Sequence, residues 1–121
     1  MVSWNNLDTL ASFKELANVK PACLTEVMSG DSGADRVKKY SIPMAAGLSY
    51  NYASKQVDED VLSALEKLAD EAQLADKFKA LYNGEVVNTG EKRLVLHHMT
   101  RGQLGDAVEA DGVDKRTFYK T

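Results

Sequence analysis

The sequence predicts a mainly α-helical fold with one or two short β-hairpins. Two observations support this prediction: apolar residues recur at helical spacing over residues 58–82, and turn-forming residues separate short alternating runs elsewhere. The chain has 121 residues, of which 44% are hydrophobic and 27% charged, as in an ordinary globular domain with a real core.

The first predicted helix follows two asparagines that can cap it. Leu7, Leu10, Phe13 and Ala17 recur at helical spacing, and Pro21 closes the helix. A short second helix is predicted over residues 22–28.

Glycine and serine interrupt the chain after that second helix. We predict a break over Ser29–Gly33, followed by one or two helical turns over residues 34–39. Next, Tyr40–Met44 and Gly47–Tyr52 alternate apolar and polar residues, which predicts a hairpin with Pro43 at an edge or a bulge. A hairpin alone is marginally stable, so this one must lie on helices or on another part of the protein.

The clearest helix has Asp58, Glu59 and Asp60 at its N-terminal end, where acidic residues interact favourably with the positive end of the helix dipole. Its apolar stripe comprises Val61, Leu65, Leu68 and Ala72. A separate helix is predicted to carry Leu74, Phe78, Leu81 and Tyr82. Near the end of the chain, Asp111-Gly112 between short runs predicts a tight hairpin.

Residues 81–101 are predicted to hold one helix end, a connector and a new helix start. Gly84 suits the left-handed position just past a helix C-terminus. Asn88 and Glu91 have the spacing of a capping box ahead of an apolar run, so a helix is predicted from about Thr89 to Thr100.

The same stretch resembles the glucose-6-phosphate isomerase (phosphoglucose isomerase) family. The matching residues are Gly84, Glu85, Asn88, Glu91, Arg93, Val95, Leu96, His97 and Arg101. Residues 51–62 and 108–114 are also similar to family segments. Asn51 replaces the family's usual Asp, and Ser54 and Lys55 fall one position late, so no specific role is carried over to that Ser-Lys pair.

The resemblance implies that residues 1–121 are the N-terminal helical segment of a longer enzyme. Such an enzyme interconverts glucose 6-phosphate and fructose 6-phosphate in glycolysis and gluconeogenesis, with no cofactor. Its two α/β sugar-isomerase (SIS) domains follow the matched region and carry the catalytic residues, with the active site between them and across a dimer interface. The implied partners of this segment are those domains and the dimer mate.

The composition excludes several other classes of protein. No apolar run approaches the roughly 20 residues of a membrane-spanning helix, and the start lacks the features of a secretory signal. The single cysteine, Cys23, fits a reducing compartment, so we expect a cytoplasmic location. The net charge is −3, and two short basic groups are expected to be solvated faces and not nucleic-acid contacts. Those groups are Arg36, Lys38 and Lys39, and then Lys115 and Arg116.

No complete catalytic set emerges from the residues. His97 and His98 are adjacent, so on a helix they point about 100° apart and do not share one metal; we predict one buried and one exposed structural histidine. Ser29–Gly33 lacks the Lys-Ser/Thr ending of a phosphate loop, and is predicted to be a solvated turn.

The remaining candidates are also predicted to be structural. Glu66, Asp70 and Glu71 should be solvated, and Cys23 should be a small core residue. Trp4 and the methionines should be packing groups. Arg93 and Arg101 are expected to pair with a carboxylate of a neighbouring domain. We therefore predict no catalytic, substrate-binding, cofactor-binding or metal-binding residue in this chain.

In the absence of the SIS domains, the surface of this segment that contacts them should be an exposed apolar patch. We expect the segment to self-associate through that patch. The candidates are Phe78, Tyr82, Leu94, Val95 and Phe118. One alternative is a stand-alone helical interaction module related to the isomerase. A second alternative is a small metal-binding or nucleotide-binding domain that uses His97 or His98.

Overall fold

The computed structural model describes residues 2–101 and 105–120, and in that part the prediction of a mainly α-helical fold is confirmed. Six α-helices are present there: α1 Ala11–Asn18, α2 Leu24–Val27, α3 Gly30–Lys39, α4 Glu59–Glu71, α5 Leu74–Tyr82 and α6 Lys115–Phe118. Three antiparallel hairpins pair β1 Ser41–Pro43 with β2 Ser49–Asn51, β3 Val86–Asn88 with β4 Arg93–Leu94, and β5 Glu109–Ala110 with β6 Val113–Asp114. Short 3-10 helices occupy Leu7–Thr9, Ala45–Gly47 and His97–Arg101.

The described residues form two compact units. One unit comprises residues 11–68, which we call the α3 unit. The other comprises residues 2–10, 69–101 and 105–120, which we call the α5 unit. Helix α4 begins in the first unit and ends in the second.

The predicted first helix is interrupted, so that expectation was partly wrong. Leu10 has extended backbone angles and separates the 3-10 turn Leu7–Thr9 from α1. The apolar spacing is compatible with a continuous helix, but the extended backbone of Leu10 ends the 3-10 turn before α1 begins.

In the α3 unit, the predicted turn over Ser29–Gly33 is wrong, because only Ser29 separates α2 and its cap Met28 from α3. Gly30 and Gly33 both lie within α3. Gly33 is buried, and a Cβ at that position would overlap the carbonyl group of Met28. The glycine therefore lets α3 pass close to the end of α2.

The hairpin after α3 is confirmed. Ile42 pairs with Tyr50 and Pro43 with Ser49, in a two-stranded sheet with Pro43 at the end of its strand. The predicted pair of helices that follows is also confirmed. Asp58 Oδ1 accepts a hydrogen bond from the backbone N–H of Val61 at 3.0 Å, which caps the start of α4.

In the α5 unit, α5 ends in a Schellman motif, as Gly84 predicted. Gly84 has a φ of 72°. Its N–H donates to the carbonyl of Leu81 at 3.1 Å, and the N–H of Glu85 donates to the carbonyl of Ala80 at 2.9 Å. Both bonds satisfy carbonyl groups at the helix end that have no partner within the helix.

The predicted helix over residues 89–100 is wrong except at its end, where residues 97–100 lie in the 3-10 helix His97–Arg101. Asn88 Oδ1 does accept from the N–H of Glu91, at 3.1 Å, but this bond closes a turn between β3 and β4. Lys92 has a φ of 53°, outside the right-handed helical region, and the β-branched pair before Asn88 favours a strand. Local capping chemistry is therefore present without the helix that it usually starts.

The hairpin at Asp111-Gly112 is confirmed. Both residues have positive φ, 55° and 73°, as the two-residue type I′ turn requires. Three hairpins are therefore found among the described residues, whereas the sequence predicted one or two. Within the same part of the chain, no helix is long and apolar enough to cross a membrane.

Candidate functional site

The two histidines lie in the 3-10 helix His97–Arg101 and line a shallow pocket of about 580 Å³ with Tyr82, Thr100 and Arg101. His97 is exposed, whereas His98 is half-buried and stacks on the Tyr82 ring at 4.8 Å. The Nε2 atom of His98 lies 3.3 Å from the Tyr82 carbonyl oxygen. One histidine is thus packed and one exposed, broadly as the sequence predicted, although neither lies on an α-helix.

Next to these histidines, the buried Arg116 ties α6 to the end of α5. Its Nη2 atom donates to the Tyr82 carbonyl at 2.6 Å, and its Nε atom donates to the Asp106 carbonyl. The guanidinium carbon lies 5.2 Å from the centre of the Tyr82 ring. Arg116 is only 5% exposed, so the prediction that it belongs to a solvated basic face is wrong.

The α3 unit contains a second guanidinium of the same kind. Arg36, which is 7% exposed, donates to the carbonyls of Ala53 at 2.8 Å, Lys55 at 3.0 Å and Val57 at 2.6 Å. It also lies 4.3 Å from the centre of the Tyr40 ring. Arg36 was also predicted to belong to a solvated face, and that prediction is wrong. No spacing pattern in the sequence distinguishes Arg36 from its lysine neighbours.

Asp114 organises the start of α6. Its carboxylate accepts from the N–H groups of Val108 and Arg116 at 3.2 and 3.1 Å, and from the Thr117 hydroxyl at 2.6 Å. The Thr117 hydroxyl, followed by these backbone donors, lowers the pKa of Asp114 from its ordinary value. Asp114 therefore remains ionised as a helix cap.

Glu59 in the α3 unit is likewise held in its ionised form. The Lys39 ammonium, 2.7 Å from Glu59 Oε1, and the Tyr40 hydroxyl lower the pKa of this carboxylate. Proton transfer at neutral pH requires a base whose pKa lies near 7. The shifts of Glu59 and Asp114 run in the opposite direction, so both carboxylates fit structural roles.

Of the other sequence candidates, Arg101 lines the histidine pocket, whereas Arg93, Glu66, Asp70 and Glu71 are not in its lining. Arg93 is exposed on β4, and its Nη1 atom lies 3.8 Å from Glu91 Oε2. Arg101 is exposed at the end of its 3-10 helix. Their pairing with a neighbouring domain remains a prediction. Glu66, Asp70 and Glu71 are exposed, as expected.

The packing predictions for the sulfur-containing residues were only partly correct. Cys23 is exposed, which contradicts its expected place in the core. Met99 is fully buried, but Met28 and Met44 are 38% and 54% exposed. Trp4 is half-buried, with the Lys77 ammonium 5.6 Å from the centre of its ring.

Over residues 2–101 and 105–120, no group of three His, Cys, Asp or Glu side chains is placed to bind a metal ion. The histidine pocket offers imidazole, guanidinium and hydroxyl groups but has no carboxylate in its lining. The lining of this pocket therefore offers no carboxylate as a base for proton transfer between adjacent carbons of a sugar. The prediction that the chain carries no catalytic residue remains a prediction.

The predicted apolar patch is partly open. Phe78 and Phe118 are 64% and 61% exposed. Tyr82, Leu94 and Val95 are half-buried. Leu74, one turn before Phe78 on α5, adds a further exposed side chain to this helix face.

Comparison with known proteins gives a consistent result. The family model described as phosphoglucose isomerase matches residues 51–119. The chain is 43% identical to the glucose-6-phosphate isomerase of Treponema denticola, 46% to that of Treponema pallidum strain Nichols and 42% to that of Borreliella afzelii. These matches cover 98%, 98% and 100% of the chain, respectively.

The same matches cover only 23%, 23% and 22% of those relatives, so the chain spans less than a quarter of their length. The family model nevertheless spans more than half of the chain, and the three relatives match almost all of it. The chain therefore belongs to the phosphoglucose isomerase family.

Proposed function

We propose that residues 1–121 are the N-terminal helical segment of a cytoplasmic glucose-6-phosphate isomerase, and that the contribution of this segment is structural. The longer enzyme interconverts glucose 6-phosphate and fructose 6-phosphate through an enediol, in glycolysis and gluconeogenesis, without a metal or an organic cofactor. The sugar phosphate binds only to that longer enzyme.

One observation carries this proposal. Relatives that bear the name glucose-6-phosphate isomerase match 98–100% of the chain at 42–46% identity, yet the match fills only 22–23% of their length. The remaining three quarters of such a protein has room for two SIS domains, where the proposal places the catalytic groups.

The chemistry of the described residues supports a structural role. Isomerisation requires a base with a suitably raised pKa and donors that hold a phosphate. Among the residues described, the two carboxylates with resolved shifts have lowered pKa values, and the Nε and Nη2 atoms of the two buried arginines donate to backbone carbonyls.

The proposed partners of this segment are the SIS domains and the dimer mate of the longer enzyme. The open face of α5, with Leu74 and Phe78 more than 60% exposed, is the proposed contact in the α5 unit. A detached segment that keeps this face open should self-associate through it.

An isomerase assay tests the proposal. The 121-residue chain and the natural gene product that contains it are purified, and fructose 6-phosphate is supplied to each at equal molar concentration. We expect glucose 6-phosphate formation by the natural gene product and none above background by the 121-residue chain.

Turnover by the 121-residue chain at the rate of the longer protein would contradict the structural role. A natural gene product that is folded but lacks isomerase activity would contradict the assigned reaction. Addition of a chelator is the matched control, since a cofactor-free enzyme should keep its full rate.

A further inference from the structure

The β1–β2 hairpin has one wholly apolar face. Antiparallel pairing places Ile42 opposite Tyr50, and the Met44 N–H donates to the Leu48 carbonyl at 2.8 Å in the next position of the same register. Residues directly opposite each other lie on the same face of a sheet, and alternate residues along a strand share that face. Ile42, Met44, Leu48 and Tyr50 therefore form a single surface, which we call the hairpin face.

The hairpin face continues an aromatic cluster that is already packed. Tyr52 follows Tyr50 on the same side, and their rings stack at 6.0 Å. The Tyr52 ring lies 5.1 Å from the ring of Tyr40, which is only 5% exposed. One end of this apolar surface is thus buried in the α3 unit.

The other end of the surface is open. Ile42 and Tyr50 are each 50% exposed, Met44 is 54% exposed and Leu48 is 64% exposed. No residue between Lys39 and Lys55 carries a charge, although 27% of the chain is charged. Exposed sheet edges are normally protected by charged residues, so an uncharged open hairpin is unusual for a surface that remains in water.

These features favour a permanent apolar occupant. Permanent interfaces are more hydrophobic than transient ones, and the cores of interfaces are depleted of charged residues. The α5 face differs in this respect, because Asp76, Lys77 and Lys79 lie beside its exposed Phe78.

The size of the hairpin face favours an occupant on the same polypeptide. A stable interface between separate proteins buries roughly 800 Å² on each partner. Four partly exposed side chains offer less than that, so a detached partner would bind weakly. A covalently linked partner has a millimolar effective concentration, at which a patch of this size is sufficient.

We propose that the hairpin face docks on an uncharged, apolar surface of the region that follows this chain in the full-length isomerase. This inference rests on the proposed function, in which such a region exists. It adds a second contact, which lies in the α3 unit and is separate from the α5 face.

Hydroxyl-radical footprinting read by mass spectrometry measures whether these side chains are covered. The 121-residue chain and the natural gene product are labelled in parallel, and the oxidation of Met44, Leu48 and Tyr50 is compared. We expect a several-fold lower labelling rate for all three in the natural gene product.

A substitution gives an independent readout. Leu48→Lys places a charge on the hairpin face, and Ser49→Lys places the same charge on the opposite face of the same strand. In the 121-residue chain, both variants should have the same midpoint of urea unfolding as the wild type. In the natural gene product, Leu48→Lys should lower the folded-to-unfolded ratio by on the order of 5–30-fold, whereas Ser49→Lys should leave it unchanged.

Equal labelling of the three side chains in both proteins would overturn the docking proposal, even if the natural gene product is an active isomerase. A concentration-dependent dimer of the 121-residue chain that Leu48→Lys abolishes would overturn it in favour of a second copy. Protection in a natural gene product without isomerase activity would leave the docking intact and refute the proposed function. A natural gene product that ends at residue 121 would refute both.

Discussion

Two buried guanidinium groups each donate hydrogen bonds to backbone carbonyls from more than one position in the chain. Arg36 binds three carbonyls from residues 53–57, and Arg116 binds those of Tyr82 and Asp106. Both donate from two nitrogens of a planar fork, and both lie near a tyrosine ring. Lysine cannot reproduce this geometry, because it offers a single ammonium group.

Replacement of Arg116 by lysine should destabilise the α5 unit. Loss of the Nε and Nη2 donors removes the guanidinium partner of the Asp106 carbonyl and leaves the Tyr82 carbonyl only its longer contact with His98 Nε2. We expect a decrease of about 1–3 kcal/mol in the free energy of unfolding. Trp4 is the only tryptophan in the chain and lies in this unit, so its fluorescence during urea unfolding measures the change.

The matched control for this prediction is Arg93→Lys, because the Arg93 side chain is 76% exposed. We expect the control to stay within about 0.5 kcal/mol of the wild type. Equal losses in the two variants would mean that the Arg116 hydrogen bonds make no special contribution.

The carboxylate of Asp114 should make stability depend on pH. Its pKa is lowered in the folded protein, chiefly by the Thr117 hydroxyl, from an ordinary value of 3.8. A lowered pKa contributes stability that is fully present above the ordinary pKa and is lost as the pH falls through the folded value. The advantage of the wild type over Asp114→Asn should therefore shrink as the pH falls below about 4.

Urea unfolding of both proteins at a series of pH values, followed by Trp4 fluorescence, measures that advantage. Glu85→Gln is the control, since it removes an exposed carboxylate from the same unit. An advantage over Asp114→Asn that stays constant down to pH 2 would show that Asp114 titrates alike in the folded and unfolded chains.

At the scale of elements, helix ends determine where the chain turns. The Schellman motif after α5 places Gly84 against Val108, with no room for a Cβ between them. Gly112 has the same left-handed conformation, with a φ of 73° against 72° at Gly84, but faces open space. This pair separates the cost of the backbone conformation from the cost of close packing.

Gly112→Ala should cost about 1–2 kcal/mol, which is the penalty for an L-residue in the left-handed region. Gly84→Ala should cost a further 1–3 kcal/mol or so, because the new methyl group overlaps the Val108 side chain. Thermal or urea unfolding of the two variants measures the difference. Equal costs would mean that Val108 moves aside freely.

Elements with a direct local cause could be predicted from the sequence. Gly84 and Asp111-Gly112 specify backbone conformations that few other residues adopt, and the acidic start of α4 marks its N-terminus. The capping box at Asn88 misled the prediction because the same side-chain bond also closes a turn. The strand pairing of β3 and β4 depends on contacts between residues apart in sequence, which periodicity alone does not reveal.

The candidate site, too, could be predicted only where it depends on local sequence and not on contacts between distant residues. The prediction that this chain has no catalytic set rests on the types of residue present and on the resemblance to the isomerase family, and it remains a prediction. The burial of Arg36 and Arg116 could not be predicted, since each stands in a basic run that is typical of a solvated face. Their carbonyl partners come from segments that only the folded chain brings together.

At the scale of the whole molecule, the exposed apolar side chains of α5 lead to a prediction about association. We predict that the 121-residue chain self-associates, because Leu74 and Phe78 are more than 60% exposed on one side of α5. Sedimentation velocity at increasing protein concentration measures this association. Phe78→Lys should shift the distribution toward the monomer.

Thr89→Lys adds the same charge to an exposed turn and serves as the control. It should associate as the wild type does. A chain that remains monomeric at all concentrations up to the millimolar range would contradict the proposed role of the α5 face.

The intact mass of the natural gene product tests the central claim most directly. A polypeptide of which this chain forms 22–23%, as in the relatives, has a mass more than four times the 13.3 kDa of the chain. We therefore expect mass spectrometry of the protein isolated from its source cells to give more than about 50 kDa. A mass of 13.3 kDa would contradict the claim that these helices are one part of a larger isomerase.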